Sequence, residues 1–115
     1  MSRQILISSM LALVLFFGWN GGTAEARTRT GRAAYHLHTS RMVTASRYEP
    51  IGSILRVTNP KTGKSITVTV NDRGPFNGNR ILDLSTGAFK KLFGSLKRGV
   101  GPISYTVIRR GKGKK

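Results

Sequence analysis

Apolar and polar residues alternate along several short segments of the chain. The clearest is residues 66–72, whose sequence ITVTVND places three aliphatic residues on one face of a strand and two threonines on the other. A looser alternation covers residues 53–59. The Asn-, Pro- and Gly-containing segment 59–64 between them is typical of a turn, so these residues are predicted to form a β-hairpin.

The same patterning predicts two more strands, at residues 80–84 and 103–109, with one helix between them. Ser85 is a favourable N-cap for this helix and Gly94 a favourable C-cap. Its apolar residues recur at helical spacing and are expected to pack in the core: Ala88, Phe89, Leu92 and Phe93. Many short strands with one short helix indicate a mainly β protein that closes into a small barrel.

The N-terminal segment is predicted to be a cleavable signal peptide covering residues 1–26. Arg3 gives a positive start, residues 5–17 are apolar, and Ala24-Glu25-Ala26 is a small-residue cleavage site. The apolar stretch is shorter than the about 20 residues that a membrane-spanning helix needs. We therefore expect an exported protein, periplasmic or secreted, with an uncleaved anchor as the alternative.

Composition narrows the classes of site and partner. The chain has 20 Lys and Arg against 4 Asp and Glu, a net charge of +16, and no cysteine. Without cysteine there is no disulfide, no thiolate metal site and no lipid attached to an N-terminal cysteine. For an exported protein the charge predicts anionic envelope polymers, lipid headgroups or acidic wall material as partners, and not nucleic acid. A cationic antimicrobial or nucleic-acid-binding protein is an alternative class that rests on charge alone.

Both ends of the exported chain are basic. Residues 27–41 are expected to form a basic, flexible leader before a folded domain at 42–108. Residues 109–115, RRGKGKK, are expected to form a disordered tail, either merely solvated or acting as an electrostatic tether to an anionic polymer. No second domain is indicated, and we expect a monomer.

Residues 71–85, NDRGPFNGNRILDLS, carry the most specific signal. With the preceding RVTN strand, the N-x-x-x-G-K-S turn and the closing G-V-x-P strand, the motifs VNDRGPF and RILDLS resemble the rare lipoprotein A (RlpA) family of exported proteins. The resemblance covers residues 42–108. It implies a small six-stranded double-psi β-barrel with one or two short helices, related in fold to expansins.

The resemblance also implies an activity. Members of the family are endolytic lytic transglycosylases, which cut the MurNAc–GlcNAc strands of peptidoglycan in cell-wall remodelling and prefer strands stripped of stem peptides. By the resemblance, Asp72 is the catalytic acid, with no metal or cofactor. The family's second catalytic residue is a histidine, and counting back along this chain reaches Ser46 instead. His36 and His38 are the only histidines.

The chemistry of such a lyase suits a chain with few carboxylates. A two-carboxylate glycosidase needs an acid and a base or nucleophile. A lytic transglycosylase can work with one acid, which protonates the glycosidic oxygen and then takes the proton of the muramic 6-hydroxyl as it closes on C1. Glu49, Asp72 and Asp83 are the carboxylates of residues 27–115. The acid must be protonated at working pH, which requires burial or a dry cleft.

Other interpretations of these residues stay open. Asp72 is either the acid or a turn residue bonded to the backbone after it. Asp83 is expected to pin the barrel or cap the helix, and Glu49 to lie on the surface. Candidates for substrate binding are Asn71, Arg73, Phe76 and Ser46, with Phe76 either a stacking platform for sugar or a buried side chain. A non-catalytic, expansin-like peptidoglycan-binding protein is the alternative function.

Overall fold

A computed structural model describes residues 28–113 of the protein as six strands and one helix. The elements are β1 (Thr28–Tyr35), β2 (Val43–Ser46), β3 (Ile54–Thr58), β4 (Ser65–Arg73), β5 (Arg80–Leu84), α1 (Thr86–Phe93) and β6 (Val100–Arg109). The predicted signal peptide lies outside the described residues. Within residues 28–113, no helix has the length and apolar character needed to cross a membrane.

The strands close into a barrel in the order β1-β5-β2-β4-β3-β6. Strands β1 and β5 pair in parallel, as do β2 and β4, and the other four pairs are antiparallel. Full closure leaves no open sheet edge, which removes the usual site of edge-to-edge aggregation. The prediction of a small six-stranded barrel with one short helix is confirmed.

Strand β4 forms where its alternation predicts. Ile66, Val68 and Val70 are buried, while the threonines between them are exposed. The predicted hairpin turn is also present: the Asn59 N–H donates to the Lys64 carbonyl at 2.8 Å. Period-two patterning of one strand therefore fixes which face of the hairpin enters the core.

Helix α1 begins and ends at the predicted caps. The Ser85 Oγ accepts from the Ala88 N–H at 3.2 Å, and Gly94 takes the left-handed conformation with a φ of 84°. Phe89 is fully buried, with its ring centroid 4.9 Å from that of Tyr35. The expectation that this face of the helix packs in the core is confirmed.

The prediction of a flexible leader at residues 27–41 is wrong over Thr28–Tyr35, which forms β1. This strand lacks a clear apolar alternation, because only Ala33 is buried in it. Its backbone pairs with β5 on one side and β6 on the other, and these non-local bonds order it. Small side chains are required here: a Cβ at Gly31 would lie 2.8 Å from the Ile81 Cδ1.

The prediction of a disordered tail is wrong for its described part, residues 109–113. After β6 ends, the Gly111 N–H donates to the Ser53 Oγ at 2.9 Å, and the Gly113 N–H donates to the Ile51 carbonyl at 2.9 Å. A Cβ at Gly111 would collide with the backbone of the adjoining segment. Glycine thus allows the close approach that keeps this segment against the barrel.

Glu49 was expected at the surface, and that expectation is wrong. Its side chain is buried, and its Oε2 accepts from the Tyr105 hydroxyl at 2.8 Å and from the Arg29 Nε at 3.2 Å. Burial raises the pKa of the Tyr105 hydroxyl far above its usual range, and the hydrogen bond to Glu49 raises it further. The tyrosine therefore stays a neutral donor, which satisfies a carboxylate that would be costly to bury alone.

Replacing Phe89 with alanine should lower the free energy of unfolding by about 3–5 kcal/mol, because the change leaves a cavity under the helix. The matched control is Phe76→Ala, at a side chain that is 65% exposed, for which we expect a change within about 0.5 kcal/mol. Chemical denaturation followed by circular dichroism measures both. Equal effects of the two changes would contradict this packing.

Tyr105→Phe should lower the free energy of unfolding by about 1–3 kcal/mol, because it removes a donor to a buried carboxylate. Tyr48→Phe is the control, since Tyr48 is 46% exposed and its substitution should change stability by no more than about 0.5 kcal/mol. Thermal and denaturant unfolding of the two variants provide the test. A Tyr105→Phe protein as stable as the unmodified one would contradict the buried hydrogen bond.

Candidate active site

A pocket of about 230 Å³ lies where the ends of β1 and β5 meet β2 and β4. Four polar side chains with catalytic or binding chemistry line it: His36, Asn71, Asp72 and Asp83. This volume is below the roughly 300–1,000 Å³ of sites for drug-sized ligands. The pocket is therefore of a size for a small ligand or for one unit of a longer one.

Strand pairing places the two carboxylates of the pocket in one row. Ala45 of β2 pairs with Asp83 on one side and with Asp72 on the other. Because neighbouring strands lie about 4.8 Å apart, the Cα atoms of the two aspartates are separated by roughly 10 Å. The small side chain of Ala45 between them leaves room for a ligand.

An irregularity in the pairing of β2 with β4 determines the direction of the Asp72 side chain. Thr44 pairs with Val70, but the next residue of β2, Ala45, pairs with Asp72, so Asn71 is an extra residue in β4. Bulges of this kind interrupt the alternation of a strand and re-aim side chains, often beside active sites. Here Asn71 and Asp72 both line the pocket, although they are consecutive.

Asp72 makes the hydrogen bond that the turn interpretation expects, and it also lines the pocket. It is exposed, and its Oδ1 accepts from the Arg73 N–H at 2.8 Å, as the turn interpretation requires. Gly74 follows with a φ of 108°, a conformation that favours glycine, and precedes a cis peptide bond to Pro75. The turn thus fixes the backbone of a carboxylate that also faces the pocket.

Arg73 and Phe76 lie outside this pocket. The Arg73 guanidinium donates to the backbone carbonyls of Glu49 at 3.1 Å and of Arg47 at 3.4 Å. Phe76 is exposed, and the alternative of a buried side chain is therefore wrong. Both are exposed at the surface outside the pocket.

Ser46 was predicted to contact substrate, and the structure contradicts this. The residue is fully buried, and its Oγ accepts from the Glu49 N–H at 3.0 Å. Ser46 therefore stabilises the turn that follows β2 and faces the barrel interior. The side chain at position 46 of this chain therefore points away from Asp72 and the pocket.

His36 is a site residue that the sequence could not select. Its side chain is exposed and lines the pocket, whereas His38 is not part of the lining. The His36 N–H donates to the Leu84 carbonyl at 2.9 Å, which fixes the backbone at the end of β1. The only signal in the sequence was its residue type, because its placement depends on the parallel pairing of β1 with β5.

Asp83 is held by the barrel. Its Oδ1 accepts from an Arg80 guanidinium nitrogen at 2.6 Å, and its backbone carbonyl accepts from the Thr44 Oγ1 at 3.0 Å. Of the two roles expected for Asp83, capping the helix is wrong, because Ser85 caps it. The Asp83 carboxylate bonds to a residue of its own strand, so its role in pinning the barrel stays a prediction. Within residues 28–113, no three His, Asp or Glu side chains are grouped so as to hold a metal ion.

Curated relatives resemble this chain over most of its length. It is 39% identical over 102 residues to the probable endolytic peptidoglycan transglycosylase RlpA of Nostoc sp., which covers 89% of this chain and 26% of that protein. It is 42% identical over 90 residues to the endolytic peptidoglycan transglycosylase RlpA of Neisseria meningitidis, covering 78% of this chain and 36% of that protein. The chain thus spans about a quarter to a third of these relatives.

Solved structures share the fold. A crystal structure of the expansin of Clavibacter michiganensis without ligand superposes with a TM-score of 0.61 at 28% identity, over 76% of this chain and 53% of that one. A mutant of the same expansin in complex with cellohexaose gives a TM-score of 0.61 at 27% identity, over 77% of this chain and 54% of that one. The second of these proteins binds a polysaccharide fragment.

A family model confirms the relationship and the double-psi β-barrel fold. It is described as lytic transglycolase and matches residues 19–105, which is well over half of the chain. Together with the relatives above, this match shows that the chain belongs to the lytic transglycolase family of double-psi β-barrel proteins.

Proposed function

We propose that the protein is an endolytic peptidoglycan lytic transglycosylase, which cleaves MurNAc–GlcNAc strands and leaves 1,6-anhydro-MurNAc ends. One observation carries the proposal: Asp72, the acid that the family resemblance assigns, lies in a pocket that also holds Asn71 and Asp83. The names of the relatives, endolytic peptidoglycan transglycosylases, support the same activity. As an exported protein, it would act on the cell wall.

In the proposed reaction, Asp72 protonates the glycosidic oxygen as the bond from that oxygen to C1 breaks. The 6-hydroxyl oxygen of the same muramic residue then bonds to C1, so no water attacks. The Asn71 side chain, beside Asp72 in the lining, is available to hydrogen-bond the bound sugar. General acid catalysis of this kind typically contributes a factor of about 10²–10⁴ to the rate.

A bound glycan strand prepares the acid. Asp72 is exposed when the pocket holds no substrate. A sugar that fills the pocket excludes water from the carboxyl group. Substrate binding therefore supplies the dry surroundings that the acid needs, which suits a pocket shaped as an open cleft.

The proposal extends to the form of the substrate. Stem peptides project from the muramic residues, and the pocket has room for little more than one sugar. We therefore expect strands stripped of stem peptides to be cut in preference to intact ones. Exposed Phe76 and Tyr48, next to the loop that Arg47 fixes through the Gly78 carbonyl, are suited to contact sugars outside the pocket.

A non-catalytic, expansin-like function is the second candidate. It is favoured by the buried Ser46 at the position of the family's histidine and by the likeness to an expansin that binds cellohexaose. In that case the pocket would hold a glycan without cutting it. Product analysis distinguishes the two functions directly.

The setting is part of the proposal. The predicted signal peptide favours export to the periplasm or the medium, where a net charge of +16 favours contact with anionic envelope polymers and not with nucleic acid. We propose that the protein acts as a monomer and without cofactor. Its closed barrel offers no free strand edge within residues 28–113 for pairing with a second copy.

Asp72→Asn should abolish cleavage, with the rate falling at least about 100-fold because the amide cannot donate the acid's proton. Mature protein is incubated with intact and with peptide-stripped strands, and the products are analysed by mass spectrometry for anhydro-muramic ends. Asp83→Asn is the matched control: it disturbs the pair with Arg80 and lowers stability, but it should still form anhydro ends.

The outcomes separate the candidates. Anhydro ends from the unmodified protein and none from Asp72→Asn would support the lytic reaction. Reducing ends from the unmodified protein would indicate hydrolysis and contradict it. Binding to the wall with no cleavage by any variant would identify a glycan-binding protein.

Binding to isolated cell wall should weaken as salt is raised, because exposed charges are screened when the Debye length falls from about 10 Å at 0.1 M to about 3 Å at 1 M. Co-sedimentation with walls before and after removal of covalently attached anionic polymers measures the effect. We expect the loss of those polymers to reduce binding at low salt. Binding that ignores both salt and polymer content would show that the basic charge does not recruit the protein.

A further inference from the structure

We propose that His36 is the base of the reaction, which takes the proton from the muramic 6-hydroxyl while Asp72 protonates the leaving oxygen. This inference rests on the proposed function and assigns its second proton transfer to a named residue. The residue lies at the end of β1, distant in sequence from the position at which the family resemblance expects a histidine.

The placement of His36 follows from the barrel. Tyr35 pairs with Leu84, and the next residue, His36, donates its N–H to the Leu84 carbonyl at 2.9 Å. Ala34, two residues earlier, pairs with Asp83, so β1 lies beside the strand that holds one of the pocket carboxylates. The His36 imidazole therefore approaches the pocket from the β1 side, while Asp72 approaches from the β4 side.

Three other polar side chains of this region are paired, hydrogen-bonded or buried. The Asp83 carboxylate is paired with Arg80 at 2.6 Å. Glu49 is buried and bonded to Tyr105. Ser46, which replaces the family's histidine, is fully buried. His36 is the imidazole that lines the pocket, and the carboxylates that face it there are Asp72 and Asp83.

The proposed step balances its atoms and charges. The bond between C1 and the glycosidic oxygen breaks, its electron pair stays with that oxygen, and the oxygen takes the proton of the Asp72 carboxyl. The 6-hydroxyl oxygen bonds to C1 and gives its proton to a ring nitrogen of His36. The imidazolium then returns a proton through water to the Asp72 carboxylate, so both groups are restored and nothing is oxidised or reduced.

An imidazole suits this task better than a carboxylate that works alone. A single acid must release its proton before it can accept the next one, whereas two groups divide the two proton transfers between them. Imidazole accepts and returns protons readily near neutral pH. The division of labour also explains how this chain retains a lyase site with serine at the family's histidine position.

The test compares His36→Gln with His38→Gln, which removes an imidazole two residues away that is not part of the pocket. Full mature protein is used with peptide-stripped strands, and anhydro ends are counted by mass spectrometry. We expect His36→Gln to lower the rate by about 10²–10³ with wall binding and melting temperature nearly unchanged. His38→Gln should stay within about twofold of the unmodified protein, since general base catalysis is untouched.

Chemical rescue supplies a readout that a merely structural role would not give. Imidazole added to His36→Ala should restore part of the rate, and it should not restore Asp72→Asn. An active His36→Gln protein beside an inactive Asp72→Asn protein would overturn the inference and leave the proposed function standing. Loss of wall binding in step with loss of rate, or no rescue, would also overturn it, by indicating a binding or structural role. No cleavage by the unmodified protein would refute both proposals.

Discussion

The site depends on one short strand that is hydrogen-bonded on both sides. β2 has four residues, yet it joins β4 in parallel and β5 in an antiparallel pair. Without it, the Asp72 and Asp83 carboxylates would have no common row and the pocket no floor. Because Ala45 is the residue between them and lines the pocket, a larger side chain there would reduce the space available to a ligand.

A second constraint acts from behind the site. The buried Glu49 carboxylate accepts hydrogen bonds from the Tyr105 hydroxyl and the Arg29 guanidinium, while the Glu49 backbone N–H donates to the Ser46 Oγ. Arg73 adds a hydrogen bond to the Glu49 carbonyl. This network links β1, β2, the turn that follows β2, β4 and β6, so that turn is tied to the residue that follows Asp72. A charge buried this way stabilises one arrangement of the turn because every alternative leaves it unpaired.

The sequence predicted those elements whose structure depends on residues near one another in the chain. Alternation in β4 and the caps at Ser85 and Gly94 depend on neighbours along the chain, and each was predicted. β1 was not, because its small residues show no pattern and its order comes from distant strands. The bulge at Asn71 was not predicted either, because the register of a parallel pair cannot be read from the sequence of one strand alone. Asp72 was found only through the family resemblance, and Glu49 was misplaced because a lone acidic residue beside Pro50 gives no sign of burial.

The placement of the carboxylates within residues 28–113 limits the chemistry more than their number does. Glu49 is in the core and Asp83 is paired with Arg80, whereas Asp72 is the exposed carboxylate of the pocket. A two-carboxylate hydrolase would need a second carboxylate placed to activate water. The proposed reaction avoids this need because its nucleophile is part of the substrate, so the protein has only to donate one proton to the leaving oxygen and to accept one from the 6-hydroxyl. A barrel that brings the end of β1 beside β5 can provide that acceptor from a residue remote in sequence, and His36 occupies that place.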